Sequence, residues 1–177
     1  MKKTHLKRLC VAALCLALSA ILPRLFHLLP ANLGRILSPI HIPVLLAVLA
    51  CGWYYGAICG GLAPLLSYLV SGMPAAAKLP SMTAECLIYG LVSGLVICLI
   101  KTKSKTANVY ISLVLAMLIG RVAYATISFY IFGSETSPLI WLMGTFMEKL
   151  PGTLLHLVLV PLLYLVLYKT KLIPRKQ

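Results

Sequence analysis

The chain has 177 residues, of which 61% are hydrophobic and 11% charged, with a mean hydropathy of +0.99 and a formal charge of +13. A soluble domain of this length has no interior large enough to hide that much apolar surface, so the composition excludes a soluble globular protein and points to an integral membrane protein. The basic excess would suit nucleic acid in a soluble chain, but here Lys and Arg gather at the ends of apolar segments, where they read as topology signals and anionic-lipid contacts, with no nucleic-acid partner.

At about 20 residues per span, the length gives room for roughly six transmembrane helices in one domain over residues 1–177, and for no large soluble domain. Lys2, Lys3, Lys7 and Arg8 precede an apolar run from Leu9 to Leu22. It reads as a retained first helix, the alternative being a secretory signal peptide with Leu18-Ser19-Ala20 as a weak cleavage site. A connector from Pro23 to Pro39 carries Arg24, His27, Asn32 and Arg35. Two short runs follow, Ile40–Cys51 and Ala57–Val70, joined by Gly52-Trp53-Tyr54-Tyr55-Gly56 as a turn with interfacial aromatics. They predict a compact hairpin of helices two and three, kinked at Pro64.

Residues Ser71 to Pro80 read as a loop bracketed by glycine and prolines. Helix four is expected over Ser81–Ile100, a basic loop over Lys101–Lys105, and helix five over Asn108–Phe132. Gly133–Pro138 reads as a turn, Leu139–Met147 as an ordered loop or half-helix, and Pro151–Tyr168 as helix six, entered through Glu148 and Lys149. Eleven of the sixteen Lys and Arg then fall at the N-terminus, after helix four and at the C-terminus, which puts both termini on the cytoplasmic side.

Arg121 lies well inside the apolar run of helix five. A guanidinium at such depth costs about 2.5–3.5 kcal/mol on insertion scales and does not lose its proton. It must pair with an acid, line a wet cavity or hold an anionic ligand. At 1.5 Å per residue it sits about 20 Å from the cytoplasmic end of its helix, in the outer half of the bilayer. Polar residues from several segments reach a similar depth: Arg35, Lys78, Glu85, Glu148 and Lys149, with Asn32 and His41 nearby.

Two readings of Arg121 stay open. One is an outward-facing pocket for a small polar solute, with Tyr89, Tyr124 and Trp141 as apolar or stacking walls. The other is an ion pair with Glu85 or Glu148 that pins helices together. Four cations against two acids in this set favour a carboxylate or phosphate on the solute, although Arg35, Lys78 and Lys149 are also placed to point into water.

The six cysteines read as small buried hydrophobes, without a disulfide framework or zinc site, and His5, His27 and His156 have no partners at metal-ligand spacing. The chain lacks the G-x-x-x-x-G-K-[ST] phosphate loop and has only three acids, so enzyme chemistry, a metal and a cofactor are not expected. Ala13 and Ala17 on helix one are small residues four apart, a spacing that lets another helix approach closely.

Several motifs together carry a family resemblance. They are His41-Ile42-Pro43-Val44-Leu45-Leu46-Ala47, Cys51-Gly52-Trp53-Tyr54-Tyr55-Gly56, Ala63-Pro64-Leu65-Leu66-Ser67 and Gly72-Met73-Pro74. Glu85 with Tyr89-Gly90, Gly120-Arg121 and Pro151-Gly152 continue the pattern. With the short six-helix plan and Ala13/Ala17, the chain resembles the substrate-binding (S) components of energy-coupling factor (ECF) vitamin transporters, in the pantothenate-type branch. The resemblance implies a multi-pass protein of the bacterial cell membrane that captures a vitamin at the outer face and topples when a transmembrane coupling protein and two ATPase subunits engage it. It implies that Ala13 and Ala17 belong to the docking surface for the coupling protein, and that the loops after helices one and three gate the pocket. Glu148 and Lys149 depart from the family pattern. The leading expectation is pantothenate, its carboxylate held by Arg121. The alternatives are α-ribazole or dimethylbenzimidazole, pyridoxine, and, from another class, a stand-alone small permease or channel.

Overall fold

The computed structural model of the chain describes residues 3–26, 37–100, 104–132 and 137–170. Asn32, Arg35, Lys101, Lys103, Glu135 and the basic tail from Lys171 lie outside the described residues. Among the described residues there are six α-helices and one short 3₁₀ turn, Ala76–Lys78. The helices are α1 (Lys3–Phe26), α2 (His41–Cys51), α3 (Trp53–Ser71), α4 (Leu79–Leu99), α5 (Lys105–Phe132) and α6 (Pro138–Lys169).

Five of the six are long and apolar enough to cross a membrane, and α2, with 11 residues, is the exception. At 1.5 Å per residue α2 is about 16 Å long, half of a hydrocarbon core of about 30 Å. All of its residues are buried, packed among α1, α3, α4 and α6. The six-span expectation therefore resolves into five span-length helices around one short internal helix.

The expected five-residue turn after α2 shrinks to Gly52. Its φ of 101° and ψ of 176° lie outside the range L side chains adopt readily, so one glycine ends α2 and starts α3. The Gly52 N–H still donates to the Val48 carbonyl (2.9 Å), and the Gly52 carbonyl accepts from Gly56 (3.0 Å). Trp53, Tyr54 and Tyr55 thus belong to the first turn of α3. That helix continues through Pro64 and stops at Gly72, whose φ of 70° gives the left-handed C-cap.

The expected half-helix and helix six form one helix of 32 residues, capped by Ser137, whose Oγ accepts from the Ile140 N–H, and running through Pro151 and Pro161. A broken helix would expose unsatisfied backbone groups to lipid, which costs more than the single hydrogen bond each proline removes.

Contacts fix the directions of the helices. The Cys51 thiol lies 3.3 Å from the Arg8 carbonyl and the Cys59 thiol 3.5 Å from that of Ala12, so α2 runs against α1 and α3 runs with it. Ser93 meets Ser112 at 3.3 Å, and Arg121 reaches Thr153, so α4, α5 and α6 alternate in direction. The start of α1 and the end of α6 therefore share one end of the bundle. α1 packs along α3. Four cysteines are buried, whereas Cys10 and Cys98 are exposed, against the expectation that all six are buried.

Candidate functional site

Ser81, Glu85, Tyr89 and Ser93 stand four residues apart on α4, so they share one face, and all four are buried. This polar stripe faces the bundle interior, and its centre is Glu85, 0% exposed. A buried carboxylate is tolerable only when its lone pairs are met. The Arg121 guanidinium from α5 lies 2.8 Å from Oε1, and the Tyr89 hydroxyl donates to the same oxygen at 2.8 Å. The other oxygen, Oε2, faces His41 Nε2 at 3.4 Å.

Each partner leads on to another element. Arg121 Nη2 donates to Thr153 Oγ1 (3.4 Å), and that hydroxyl donates to the Lys149 carbonyl (3.0 Å) on α6. His41 Nδ1 lies 3.0 Å from the Ser38 carbonyl. A carbonyl only accepts, so Nδ1 carries the proton of that bond. Ser38 has a φ of 43°, left-handed backbone that a non-glycine residue rarely adopts. The His41 ring also packs against Tyr89 (centroids 5.1 Å apart) and, edge-on, against His156 (5.5 Å).

Beside this cluster, at the end of the bundle away from the chain ends, is a cavity of about 250 Å³. Pro23, Pro39, Ile40, Met73, Pro74, Ala75 and Met82 give it apolar walls. Ser38, Ser67, Lys78, Tyr124, Glu148 and Lys149 give it polar ones. Lys149 is 7% exposed, and its ammonium lies 4.4 Å from the centroid of the Tyr124 ring, a cation–π contact.

The residues singled out in the sequence divide between these two places. Arg121, Glu85, Tyr89 and His41 form the ion-pair cluster; Lys78, Tyr124, Lys149 and Glu148 line the cavity. Of the two acids considered for Arg121, Glu85 is the partner. Arg121 is 3% exposed and is not among the residues lining the cavity. Trp141 sits elsewhere, donating from Nε1 to Ser128 Oγ (3.0 Å) and packing against Phe129. Lys149, open in the sequence to a water-facing reading, is buried on a turn of α6 where Glu148 and Leu150 are exposed, with its ammonium against the Tyr124 ring. Asn32 lies outside the described residues. Ala13 and Ala17 are exposed on α1, while Ala12, Cys15, Ser19 and Ala20 turn inward.

Sequence reasoning missed Ser38, Met82 and Thr153. Thr153 had a usable signal, a hydroxyl one helical turn after Lys149, whereas Ser38 had none because its role comes from backbone geometry. No group of three or more possible metal ligands occurs among the described residues.

Residues 7–164 match the family described as ECF transporter, substrate-specific component. No curated protein and no solved structure matches the chain.

Proposed function

We propose that this chain, which belongs to the family of ECF transporter substrate-specific components, binds a small anionic vitamin in the cavity beside Lys149 and delivers it inward by toppling when its ATPase module engages. Membership makes it a membrane-embedded transport subunit and not an enzyme. The orientation follows from charge. In the sequence, eleven of sixteen cationic residues fall before the apolar run of α1, between those of α4 and α5, or at and beyond the end of α6; the positive-inside rule reads that side as cytoplasmic, which turns the cavity outward.

The observation that carries the choice of solute is the burial of Lys149 on the cavity wall. With Lys78 it gives the wall two cations against one acid, Glu148, amid apolar surface. That combination suits a molecule with one carboxylate and an otherwise apolar or hydroxylated body, and pantothenate is the first candidate. Arg121 enters this proposal as the partner of Glu85, and Lys149 as the cation that meets the carboxylate. The Tyr124 ring on the same wall favours α-ribazole, dimethylbenzimidazole or pyridoxine as the second reading, since each offers an aromatic face.

A thermal-shift and equilibrium-binding screen of the purified chain against a vitamin panel tests this, because a ligand that binds only the folded form raises apparent stability. Pantothenate should shift the transition in wild type, and roughly 10–100-fold more of it should be needed for the same shift in Lys149→Met. A shift from an uncharged vitamin alone, or an equal shift in both proteins, refutes the assignment. Uptake by the chain without an ATPase module would point to a stand-alone permease instead.

A further inference from the structure

The geometry points to Glu85 as the positioning residue of the cavity, a role that rests on the reading of the cavity as the solute site. Glu85 lines no part of it. Yet three of its walls are tied to this one carboxylate. The first is α4 itself, which carries Glu85 one turn after Ser81 and Met82. The second is the segment before α2: when both ring nitrogens carry protons, His41 joins Oε2 (3.4 Å) to the carbonyl of Ser38, a wall residue in left-handed backbone. The third is α6: Oε1 holds Arg121, Arg121 holds Thr153, and Thr153 holds the carbonyl of Lys149, the buried wall cation.

Strain at Ser38 persists only if its surroundings impose it, and its carbonyl is held by the His41 ring (3.0 Å) together with the His41 backbone N–H (3.2 Å). A lysine is long and rotatable, so the position of its ammonium depends on where its backbone is held. Both conditions trace to Glu85. The carboxylate acts on the solute through the walls, without touching it.

The test cuts each arm separately with near-isosteric changes in the full chain. Thr153→Val removes the hydroxyl of the α6 arm, and His41→Phe removes the ring's hydrogen bond to Ser38, leaving the backbone N–H of residue 41 on that carbonyl, while keeping a ring against Tyr89 and His156. Backbone hydrogen exchange in lipid nanodiscs reads the two wall segments without any ligand. Thr153→Val should speed exchange over residues 147–150 by about tenfold and leave residues 38–42 unchanged; His41→Phe should do the reverse. The paired replacement Glu85→Leu/Arg121→Met removes the charges together, which buried ion pairs often tolerate, so it should unfold near the wild-type temperature yet speed exchange in both segments. In each variant pantothenate should dissociate faster, by about tenfold. Exchange that stays unchanged in a variant's own segment, or that rises in both segments of a single-arm variant, overturns the inference. Wild type that does not bind pantothenate overturns the choice of solute, and the exchange results then decide the role of Glu85 alone.

Discussion

Lys149 and Tyr124 meet on the cavity wall, the ammonium of one 4.4 Å from the ring centroid of the other. The ring face supplies part of what water would otherwise supply to a buried cation, and it aims the ammonium without neutralising it. Under the proposed function, a solute carboxylate would complete the coordination. A charge-assisted hydrogen bond contributes about 1.5–3 kcal/mol, so Lys149→Met should weaken pantothenate binding roughly 10–100-fold. Tyr124→Leu removes only the ring, about 0.5–2 kcal/mol, and should cost less than the lysine. Titration calorimetry on the purified variants checks both the loss and its order; a larger loss at Tyr124 would favour an aromatic solute.

Arg121 and Glu85 make a different prediction, about stability. Removing one partner of a buried pair leaves the other charge uncompensated, at a cost of about 3–5 kcal/mol. Arg121→Ala should therefore lower the unfolding temperature of the solute-free chain by roughly 10 °C. Arg121→Lys, which keeps the charge and loses the fork that reaches both Glu85 and Thr153, should fall between. Thermal unfolding without solute separates the two roles considered for this residue. A guanidinium reserved for the solute would leave the empty protein's transition unchanged.

How much of the surroundings of Arg121 and Lys149 the sequence carries is a matter of how local each signal is. With three acids in the chain and two of them near the depth of Arg121, the cost of a bare charge in lipid narrowed an ion pair to Glu85 or Glu148 but left it open beside a solute carboxylate, and only the fold selects Glu85. The helices followed from apolar run length. The short α2 was visible as a short run, but its complete burial depends on the helices around it, which no local pattern specifies. The turn after α2 looked five residues long because glycines bracket aromatics; only Gly52 needs the unusual backbone, and Gly56 serves helix packing. Pro151 read as a helix start, so Lys149 stood at a helix head. In the fold α6 starts at Pro138, and the same lysine lies in its interior turns, where its side chain is buried.

The packing of α3 on α4 yields a third prediction. A Cβ on Gly60 would run into the Cys86 carbonyl, and one on Gly90 into the Gly56 carbonyl. Alanine gains up to about 1 kcal/mol over glycine in an exposed helix interior, but here the obstacle is backbone, which cannot rotate away. Gly60→Ala and Gly90→Ala should each destabilise by about 1–3 kcal/mol, seen as a lower thermal midpoint. Gly144→Ala on α6, whose Cβ would meet nothing within 4 Å, is the control and should be neutral or mildly stabilising.

Ala13 and Ala17 carry the fourth prediction, which concerns assembly. Both are exposed on α1, while Ala12 and Cys15 are buried against the rest of the bundle. Lipid offers little hydrophobic driving force between helices, so a partner helix binds by close packing on small residues. Ala13→Leu and Ala17→Leu should leave solute affinity and thermal stability as in wild type, since neither side chain faces inward. Co-purification with the coupling protein and its ATPases should drop, and vitamin uptake in vesicles should fall by at least about tenfold. Ala12→Leu, one position away and 5% exposed, should instead damage the fold itself. Uptake that survives leucine at both exposed positions would remove α1 from the docking surface, and uptake that needs no module would remove the docking surface altogether.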